Sequence, residues 1–472
     1  MNLSHLTDFS DRLSPMLVKE LRQGLRAKTF IMVFLSLQIL LSIMLLSASA
    51  SGASDQAGSV VSSMIFIFFA SAVLVVQPMR GVAALASEIK SNTIDMMVLT
   101  RLSAWRIVYG KWVAIVSQSA LILVTIVPYL ILRYFFGGMN LVGEIVFLGL
   151  IFLTSMALTA VTVGLSGSAS AIIRALIPLF GIPLLFISMI GFAFGRGSNN
   201  VIEVCSLDTV ESVVGILFYV ISIMYLGWSA LTLGASLIAP AAENHSTIRR
   251  CITLLLLSGL IPVALYSSIE KEMIAMLSLV LVIPALVTAL TETTLILPIQ
   301  RLRFIKNRFL RSVGSLFLQP GLAGGIIFSA LLIAMVVGIA WVHPQNSSKS
   351  EVSITILALI GTLLLPAVIQ SFTFKSDGQR VANYFLILIG LGILSIIVGT
   401  LSGVTSNDSI LWLFIWNPLT FLIMTNQSGF SDSNLFVGVL IVVAIFLTLL
   451  LLQAFQLMKV QREMIQHSEA NP

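Results

Sequence analysis

The chain has 472 residues, of which 58% are hydrophobic and 10% are charged. Its mean hydropathy is +1.05, whereas about a quarter of the residues in a soluble domain are charged. A water-soluble globular protein is therefore excluded, because lipid must cover part of this apolar surface.

About twelve apolar runs in the sequence are close to the roughly 20 residues that a membrane-spanning helix needs. They are continuously apolar and lack the two-residue alternation of a membrane-barrel strand. The fold class that they predict is an all-α, polytopic membrane protein. The runs lie near residues 30–50, 59–79, 113–135, 141–165, 171–194, 210–238, 251–269, 273–297, 321–342, 352–373, 383–404 and 434–457.

Residues 1–29 are predicted to form a cytoplasmic N-terminus with an interfacial elbow helix in "SPMLVKELRQGLRAKTF". Ser14 is a favourable N-cap, and Pro15 suits the first helical position. Leucines recur every four residues opposite a basic face, which is typical of a helix lying in the headgroup layer. The alternative is an ordinary positively charged flank of the first span.

The distribution of basic residues predicts the orientation. With both termini cytoplasmic, all but four of the 26 Lys and Arg residues fall on or near the cytoplasmic side, as the positive-inside bias requires. Membrane insertion thus accounts for the net charge of +6, and no nucleic-acid partner is expected. Cys205 and Cys251 fall on opposite sides, so no disulfide between them is expected, and no metal or redox role.

The spans group into two predicted six-helix halves, residues 30–238 and 239–472. In each half a long polar inner segment connects the second and third spans. In the first half it is the coupling segment 80–112, and in the second half it is the basic loop 298–320. A long outer segment, 406–434, precedes the last span of the second half.

Within that outer segment, residues 411–424 are apolar but short, and they are broken at Asn417 and Pro418. If both ends lie outside, the segment must re-enter the membrane or lie flat on it. If it is instead a thirteenth span, the C-terminus lies outside, against which the basic residues Lys459 and Arg462 argue. Re-entry is allowed only where protein or water satisfies the backbone.

The coupling segment is predicted to contain two short helices, capped at Thr93 and Ser103, with a break near 100–102. Apolar and charged side chains are interleaved there, which suits either a protein-docking surface or a helix pair lying on the membrane. The candidate docking residues are Glu88, Asp95, Met96, Met97, Leu99, Arg101, Leu102, Trp105 and Arg106.

The segment resembles the cytoplasmic coupling region of type-2 ABC exporter permeases, and the first 29 residues resemble the elbow helix of that family. The resemblance covers roughly the first 240 residues, and it departs from the family at Arg101, where proline is frequent. The matching positions are Lys19, Glu20, Leu21 and Arg26 in the elbow, and Glu88, Thr93, Met97, Leu99, Thr100, Leu102, Ser103, Ile107, Val108, Gly110 and Lys111 in the segment.

The resemblance implies a permease that docks on a cytoplasmic ATP-binding subunit and exports a substrate by alternating access. It also implies a plasma membrane, specifically a bacterial inner membrane, and allows a permease dimer. The chain has no phosphate-binding G-x-x-x-x-G-K-[ST] loop, since Trp105 and Trp112 replace the first glycine and the final Ser or Thr around "YGKW". ATP hydrolysis is therefore expected on a separate chain, and this chain is expected to be neither an enzyme nor cofactor-dependent.

Two alternatives stay open: an ATP-independent secondary transporter or channel, and a membrane scaffold that recruits proteins.

Glu292 is the deepest carboxylate and has either a functional or a packing role. Arg133, Glu144 and Arg174 lie close enough to span ends to reach the headgroups. The four histidines lack metal-ligand spacing, and the substrate cannot be identified. Interhelical hydrogen bonds are expected from Gln118 and Gln370.

Overall fold

A computed structural model describes residues 15–50, 55–91, 103–135, 140–168, 197–240, 243, 245–266, 271–293, 317–341, 348–373, 380–405, 409–425 and 432–470. These residues are overwhelmingly helical, which confirms the all-α class. They divide into two compact units, Met1–Ala239 and Pro240–Pro472, called unit 1 and unit 2 below.

Unit 1 begins with the elbow helix and continues with long apolar helices. Its helices are α1 (Pro15–Leu25), α2 (Lys28–Ala50), α3 (Asp55–Ala70), a π-helical segment (Ser71–Val76), α4 (Gln77–Gly81), α5 (Ala86–Lys90), α6 (Ala104–Tyr134), α7 (Leu141–Ser166), α8 (Gly197–Cys205) and α9 (Val210–Ile238).

Unit 2 has two very short helices before its last, long one. Its helices are α10 (Ser246–Tyr266), α11 (Lys271–Leu290), α12 (Leu322–Trp341), α13 (Ser348–Thr373), α14 (Arg380–Thr405), α15 (Ser409–Leu413), α16 (Leu419–Met424) and α17 (Asp432–Ala470).

Among the described residues, ten helical segments are long and apolar enough to cross a membrane. Of the other two predicted spans, 273–297 corresponds to α11, whose apolar part Ile274–Leu290 is shorter, and 171–194 lies outside the described residues. The ten segments are Lys28–Ala50, Val60–Lys90, Ala104–Tyr134, Leu141–Ser166, Val210–Ile238, Ser246–Leu265, Leu322–Ala340, Glu351–Thr373, Arg380–Thr405 and Ser433–Val460.

The helices of unit 1 approach each other closely where glycines face each other. A Cβ atom on Gly164 of α7 would lie 2.2 Å from the carbonyl oxygen of Ala230 in α9, and one on Gly234 would lie 2.6 Å from the Cα atom of Gly164. Small residues at such a crossing let two backbones touch, which is how apolar helices associate in lipid. Any larger side chain at either glycine would push α7 and α9 apart.

The elbow helix α1 begins at Pro15, as the sequence predicts, and packs against α6. The contact is close, because a Cβ atom on Gly24 would lie 2.2 Å from Nε2 of Gln118 in α6. α2 starts at Lys28 after a short break. α1 is therefore a separate helix that packs against α6, the third span.

The coupling segment 80–112 is helical at both ends. The second span continues through α4 and α5 to Lys90, which is further than predicted, and α6 begins at Ala104, directly after the predicted cap. Ser103 has the extended backbone of an N-cap, as predicted, but its side chain makes no capping hydrogen bond. Thr93 and the predicted break near 100–102 lie outside the described residues.

α13 is the centre of unit 2. In its apolar window 72% of residues are buried, against 22% for α14, and it packs against α11, α14, α16 and α17. The predicted hydrogen bond of Gln370 is confirmed, because its Nε2 atom donates to the carbonyl oxygen of Arg380 in α14 at 2.9 Å.

The apolar stretch 411–424 forms two helices of five and six residues, α15 and α16, which are too short to span a membrane. Between them, Asn417 is fully buried, and its Nδ2 atom donates to Ser395 Oγ near the middle of α14. Pro418 packs against Gly361, in the middle of α13, where a Cβ atom would lie 2.9 Å from the proline ring. Residues 409–425, called the hairpin below, therefore lie beside the middle of α13 and α14, and the turn at Asn417 and Pro418 contacts both of these helices.

Candidate functional site

The coupling segment is anchored by a buried lysine. Lys111 in α6 is 6% exposed, and its Nζ atom lies 3.0 Å from Glu20 Oε1 in α1 and 3.2 Å from Glu88 Oε1 in α5. Side chains from three separate helices thus meet at one ammonium group. Because a buried lysine must be neutralised by partners, this cluster fixes the elbow and the end of the second span to the start of the third span.

A second set of polar groups lies beside this lysine cluster. Arg80 in α4 donates a hydrogen bond from Nη1 to Gln118 Oε1 in α6 and another to Gln77 Oε1 at 3.4 Å. The predicted interhelical hydrogen bond of Gln118 is therefore confirmed. A cavity of about 320 Å³ lies between these side chains, and its polar lining comprises Glu20, Gln23, Arg80, Ser87, Glu88, Lys111 and Gln118.

The structure describes three of the nine candidate docking residues. Glu88 belongs to the lysine cluster, so its carboxylate is held inside unit 1. Trp105 is partly buried against the apolar core around Leu85 and stacks on Tyr109, with ring centroids 5.9 Å apart. Arg106 is exposed. The other six, Asp95, Met96, Met97, Leu99, Arg101 and Leu102, lie outside the described residues.

In unit 2, Glu292 is the acceptor at the centre of an arginine cluster. Its Oε2 atom accepts hydrogen bonds from Arg250 Nη2 at 2.6 Å and from the backbone N–H of Gly321 at 2.7 Å. Arg249 Nη2 lies 3.9 Å from Oε1. Arg380 Nη1 donates to the backbone carbonyl of Glu292 at 3.2 Å.

Arg250 also holds the chain that leads into α12. It donates from Nη1 to the carbonyl oxygens of Phe317 and Gln319, at 2.8 and 2.6 Å, and from Nη2 to that of Gly321 at 3.3 Å. Gly321 has φ 103°, a conformation that favours glycine. Of the two roles considered for Glu292, the packing role is observed, because Glu292 binds Arg250 and the backbone N–H of Gly321 and so fixes the chain that leads into α12. Of the basic loop 298–320, residues 298–316 lie outside the described residues.

The arginines of this cluster are absent from the sequence-based candidates. "STIRRC" opens a span, where the positive-inside bias already accounts for basic residues. Burial of Arg249 and Arg250 to 5% and 2% exposure distinguishes them from ordinary flanking charges. One sequence signal could have identified the cluster. Two adjacent arginines, Arg249 and Arg250, stand at the start of α10, and Glu292 follows the end of the next helix, α11.

The prediction that Arg133 and Glu144 reach the headgroups is wrong. Arg133 is 1% exposed and Glu144 is 3% exposed. Arg133 Nε donates to Ser62 Oγ at 2.6 Å, Ser62 donates to Glu144 Oε1 at 3.0 Å, and Arg133 Nη2 lies 3.5 Å from the same oxygen. The two charges turn inward because each offers the other a partner, which lipid does not. Arg174 lies outside the described residues.

The comparisons with known proteins give no family. No protein-family model matches the chain, and no curated protein or solved structure matches it either. The class of the protein is therefore inferred from the length and hydropathy of its helices alone. The chain is a multi-pass helical membrane protein. Association with a lipid membrane follows from the length and apolar surface of its spans.

Three charged clusters tie helices of the described chain together. Each cluster joins at least two helices through oppositely charged groups. Among them, the lysine cluster is the one that touches the coupling segment.

Proposed function

We propose that this protein is the transmembrane permease subunit of an ATP-driven ABC export system, in which a separate cytoplasmic ATPase powers alternating access. The observation that carries the proposal is the lysine cluster. Glu20, Glu88 and Lys111 are three of the positions on which the family resemblance rests, and the ammonium group of Lys111 lies within 3.2 Å of a carboxylate oxygen of each glutamate.

The cluster supplies a physical route from a docked partner to the spans. The interleaved residues 92–102 are attached on one side to α5 and on the other side to α6, and Lys111 ties both of these helices to α1. A force applied between the two attachment points therefore displaces the second span, the third span and the elbow together. A loop that only connected two spans would need no such tie.

The proposed partner contacts are Met96, Met97, Leu99, Leu102 and Trp105, with Asp95, Arg101 and Arg106 setting the register. Glu88 takes a different role in this proposal, because Lys111 engages it: it positions the segment. The permease has both termini in the cytoplasm and lies in the plasma membrane, a bacterial inner membrane by the resemblance. The loop 298–320 of unit 2 meets a second ATPase subunit, or else two permease chains form a dimer.

The first experiment is purification of the tagged full chain in mild detergent, with and without a non-hydrolysed ATP analogue, followed by identification of the proteins that accompany it. We expect an ATPase with a phosphate-binding loop to accompany the wild type and to be lost from the variant M97D/L99D. The control is V404D, because Val404 is 85% exposed at the far end of α14. It introduces a carboxylate at an apolar site that lies, by the predicted orientation, across the membrane.

One result would reject the proposed function, and another would reject only the proposed docking surface. If no ATPase accompanies the wild type in detergent that preserves known membrane complexes, the ATP-independent secondary transporter or channel becomes the better function. If an ATPase accompanies M97D/L99D as well as the wild type, the coupling segment is not the docking surface. In the first case, ion gradients have to be tested as the driving force for transport. In the second case, the ATPase contact has to be sought in the loop 298–320.

A further inference from the structure

Unit 1 contains an apolar cavity of about 450 Å³ at the end where α7 and α9 begin. Its walls come from α3 and the following π-helical segment, α7, α8 and α9. The volume is three times that of an apolar cavity known to bind benzene, about 150 Å³, and it falls within the range of ligand pockets. The apolar wall includes Phe66, Leu74, Phe147, Ile151, Val204 and Ile216.

The two side-chain hydroxyl groups on the wall are already paired. Thr154 Oγ1 donates to the carbonyl oxygen of Leu150 at 2.7 Å, and it lies 2.6 Å from the hydroxyl oxygen of Tyr219. Since the Thr154 hydrogen is used, the Tyr219 hydroxyl donates to Thr154 Oγ1. The hydroxyl hydrogens of both residues are engaged in hydrogen bonds, so neither requires a polar ligand. The wall therefore favours a hydrocarbon occupant.

The cavity lies beside the apolar part of α7, which is long enough to cross a membrane. Phe147 and Thr154 are six and thirteen residues beyond Leu141 at the start of α7, which places them roughly 9 to 20 Å along the helix. The hydrocarbon core of a bilayer is about 30 Å thick, so this part of α7 falls within the core when the helix spans the membrane.

Exposed apolar side chains lie on and beside the cavity wall. Val204 and Tyr219, which line it, are 51% and 40% exposed, and Val213 and Leu217 on the same helix as Tyr219 are 44% and 55% exposed. Large apolar side chains exposed along a membrane-spanning helix face acyl chains. A chain from the surrounding lipid can enter without crossing water.

The helix that forms one wall is irregular at the same level. Ala70 and Leu74 line the cavity from either side of the start of the π-helical segment Ser71–Val76. The carbonyl oxygen of Val73 in this segment accepts a hydrogen bond from Ser155 Oγ at 2.6 Å. Single π-helical turns inside α-helices are frequently found at functional sites. Here the irregular turn forms part of the wall, and α7 supplies one hydrogen bond to its backbone.

We propose that this cavity binds one hydrocarbon chain of a membrane lipid. The site is built by unit 1 alone, and it does not depend on the proposed ATP-driven transport, so either proposal can fail without the other. The occupant is a lipid chain because the walls are apolar, the hydroxyl groups are paired, and exposed apolar side chains lie on and beside the wall.

The test uses the full chain reconstituted in phosphatidylcholine vesicles that contain a phosphatidylcholine with a photoactivatable diazirine in one acyl chain. Adducts are mapped by mass spectrometry. The wild type is expected to carry adducts on Phe147, Ile151 and Ile216 in the wall, as well as on Val213 and Leu217, which face lipid.

Glycines of the chain provide a matched pair of variants. A Cβ atom on Gly215, which lines the cavity, meets nothing within 4 Å, and the same is true of Gly149, which does not line it. G215L adds a side chain at this open position on the cavity wall and is expected to reduce the wall adducts several-fold, whereas G149L is expected to leave them unchanged. V201F fills the cavity from α8 and serves as the second variant if G215L does not fold.

Adducts on Val213 and Leu217 should be equal in all four proteins and show that each is inserted. The proposal is overturned if the wild-type wall carries no adducts, because the cavity is then closed to lipid. It is equally overturned if wall adducts persist undiminished in both G215L and V201F.

Discussion

Asn417 donates a hydrogen bond from Nδ2 to Ser395 Oγ over 2.8 Å, and this bond fixes the tip of the hairpin against the middle of α14. Ser395 in turn donates to the carbonyl oxygen of Leu391 at 2.8 Å. Thr420 donates to the carbonyl oxygens of Phe414 and Asn417, so the turn is satisfied from within. A non-helical turn at this depth persists because protein supplies the hydrogen bonds that lipid cannot.

The hydrogen bond between Asn417 and Ser395 is expected to contribute about 1 kcal/mol of coupling energy, the size found for interhelical bonds in membrane proteins. The measurement is a double-mutant cycle with N417L, S395A and N417L/S395A, using the free energy of unfolding in mixed micelles. Both single variants should be less stable than the wild type, and the double variant should be more stable than additivity predicts. Strictly additive losses would show that the contact does not stabilise the hairpin.

The sequence predicts the spans well and the charged contacts poorly. Continuous apolar runs specify α2, α6, α7 and α9 because any spanning helix must satisfy its own backbone. The broken stretch at Asn417 was identified for the same reason. The buried partners of Arg133 and Glu292 could not be predicted, since pairing depends on which helix ends meet in space. The residues next to Arg133 in the sequence do not indicate whether its side chain reaches the headgroups or pairs with another helix.

Replacing Lys111 is expected to destabilise unit 1. In K111M the carboxylates of Glu20 and Glu88, which are 18% and 16% exposed, lose the ammonium group between them. Breaking a buried ion pair costs about 3 kcal/mol or more. The measurement is the free energy of unfolding, with K90M as control, because Lys90 is exposed at the end of α5.

A triple variant separates the ion pair from simple packing of the lysine. K111M/E20Q/E88Q removes the carboxylates together with the ammonium group, so it is expected to regain much of the stability that K111M loses. Equal instability of the single and triple variants would contradict a charge-based role and assign the loss to the lysine side chain itself.

The thiol of Cys205 is expected to react slowly. Its side chain is 1% exposed, and burial raises the pKa of the Cys205 thiol above its usual value. A raised pKa lowers the thiolate fraction at neutral pH, so the rate of modification by N-ethylmaleimide should rise at higher pH in the native protein than in the unfolded protein. Mass spectrometry of the Cys205 peptide across pH, before and after unfolding in SDS, measures both profiles. Coincident profiles would show that Cys205 is not protected by the fold.

Neutralising Glu292 should destabilise unit 2 and release the chain that leads into α12. In E292Q the carboxylate that faces Arg249 and Arg250 loses its charge, while both arginines stay buried. Removing one side of such a cluster costs about 3 to 5 kcal/mol. The matched control is E243Q, since Glu243 is 40% exposed and pairs with His245, and an exposed pair contributes under about 1 kcal/mol.

Hydrogen exchange distinguishes the anchoring role of Glu292 from a general loss of stability. Its Oε2 atom accepts from the backbone N–H of Gly321, so E292Q should speed exchange at Gly321 and Leu322 more than in the apolar part of α13. E243Q should leave all of these positions unchanged. If E292Q speeds exchange equally throughout unit 2, the glutamate stabilises the unit as a whole and does not specifically anchor α12. If exchange at Gly321 is unchanged, the hydrogen bond makes no contribution.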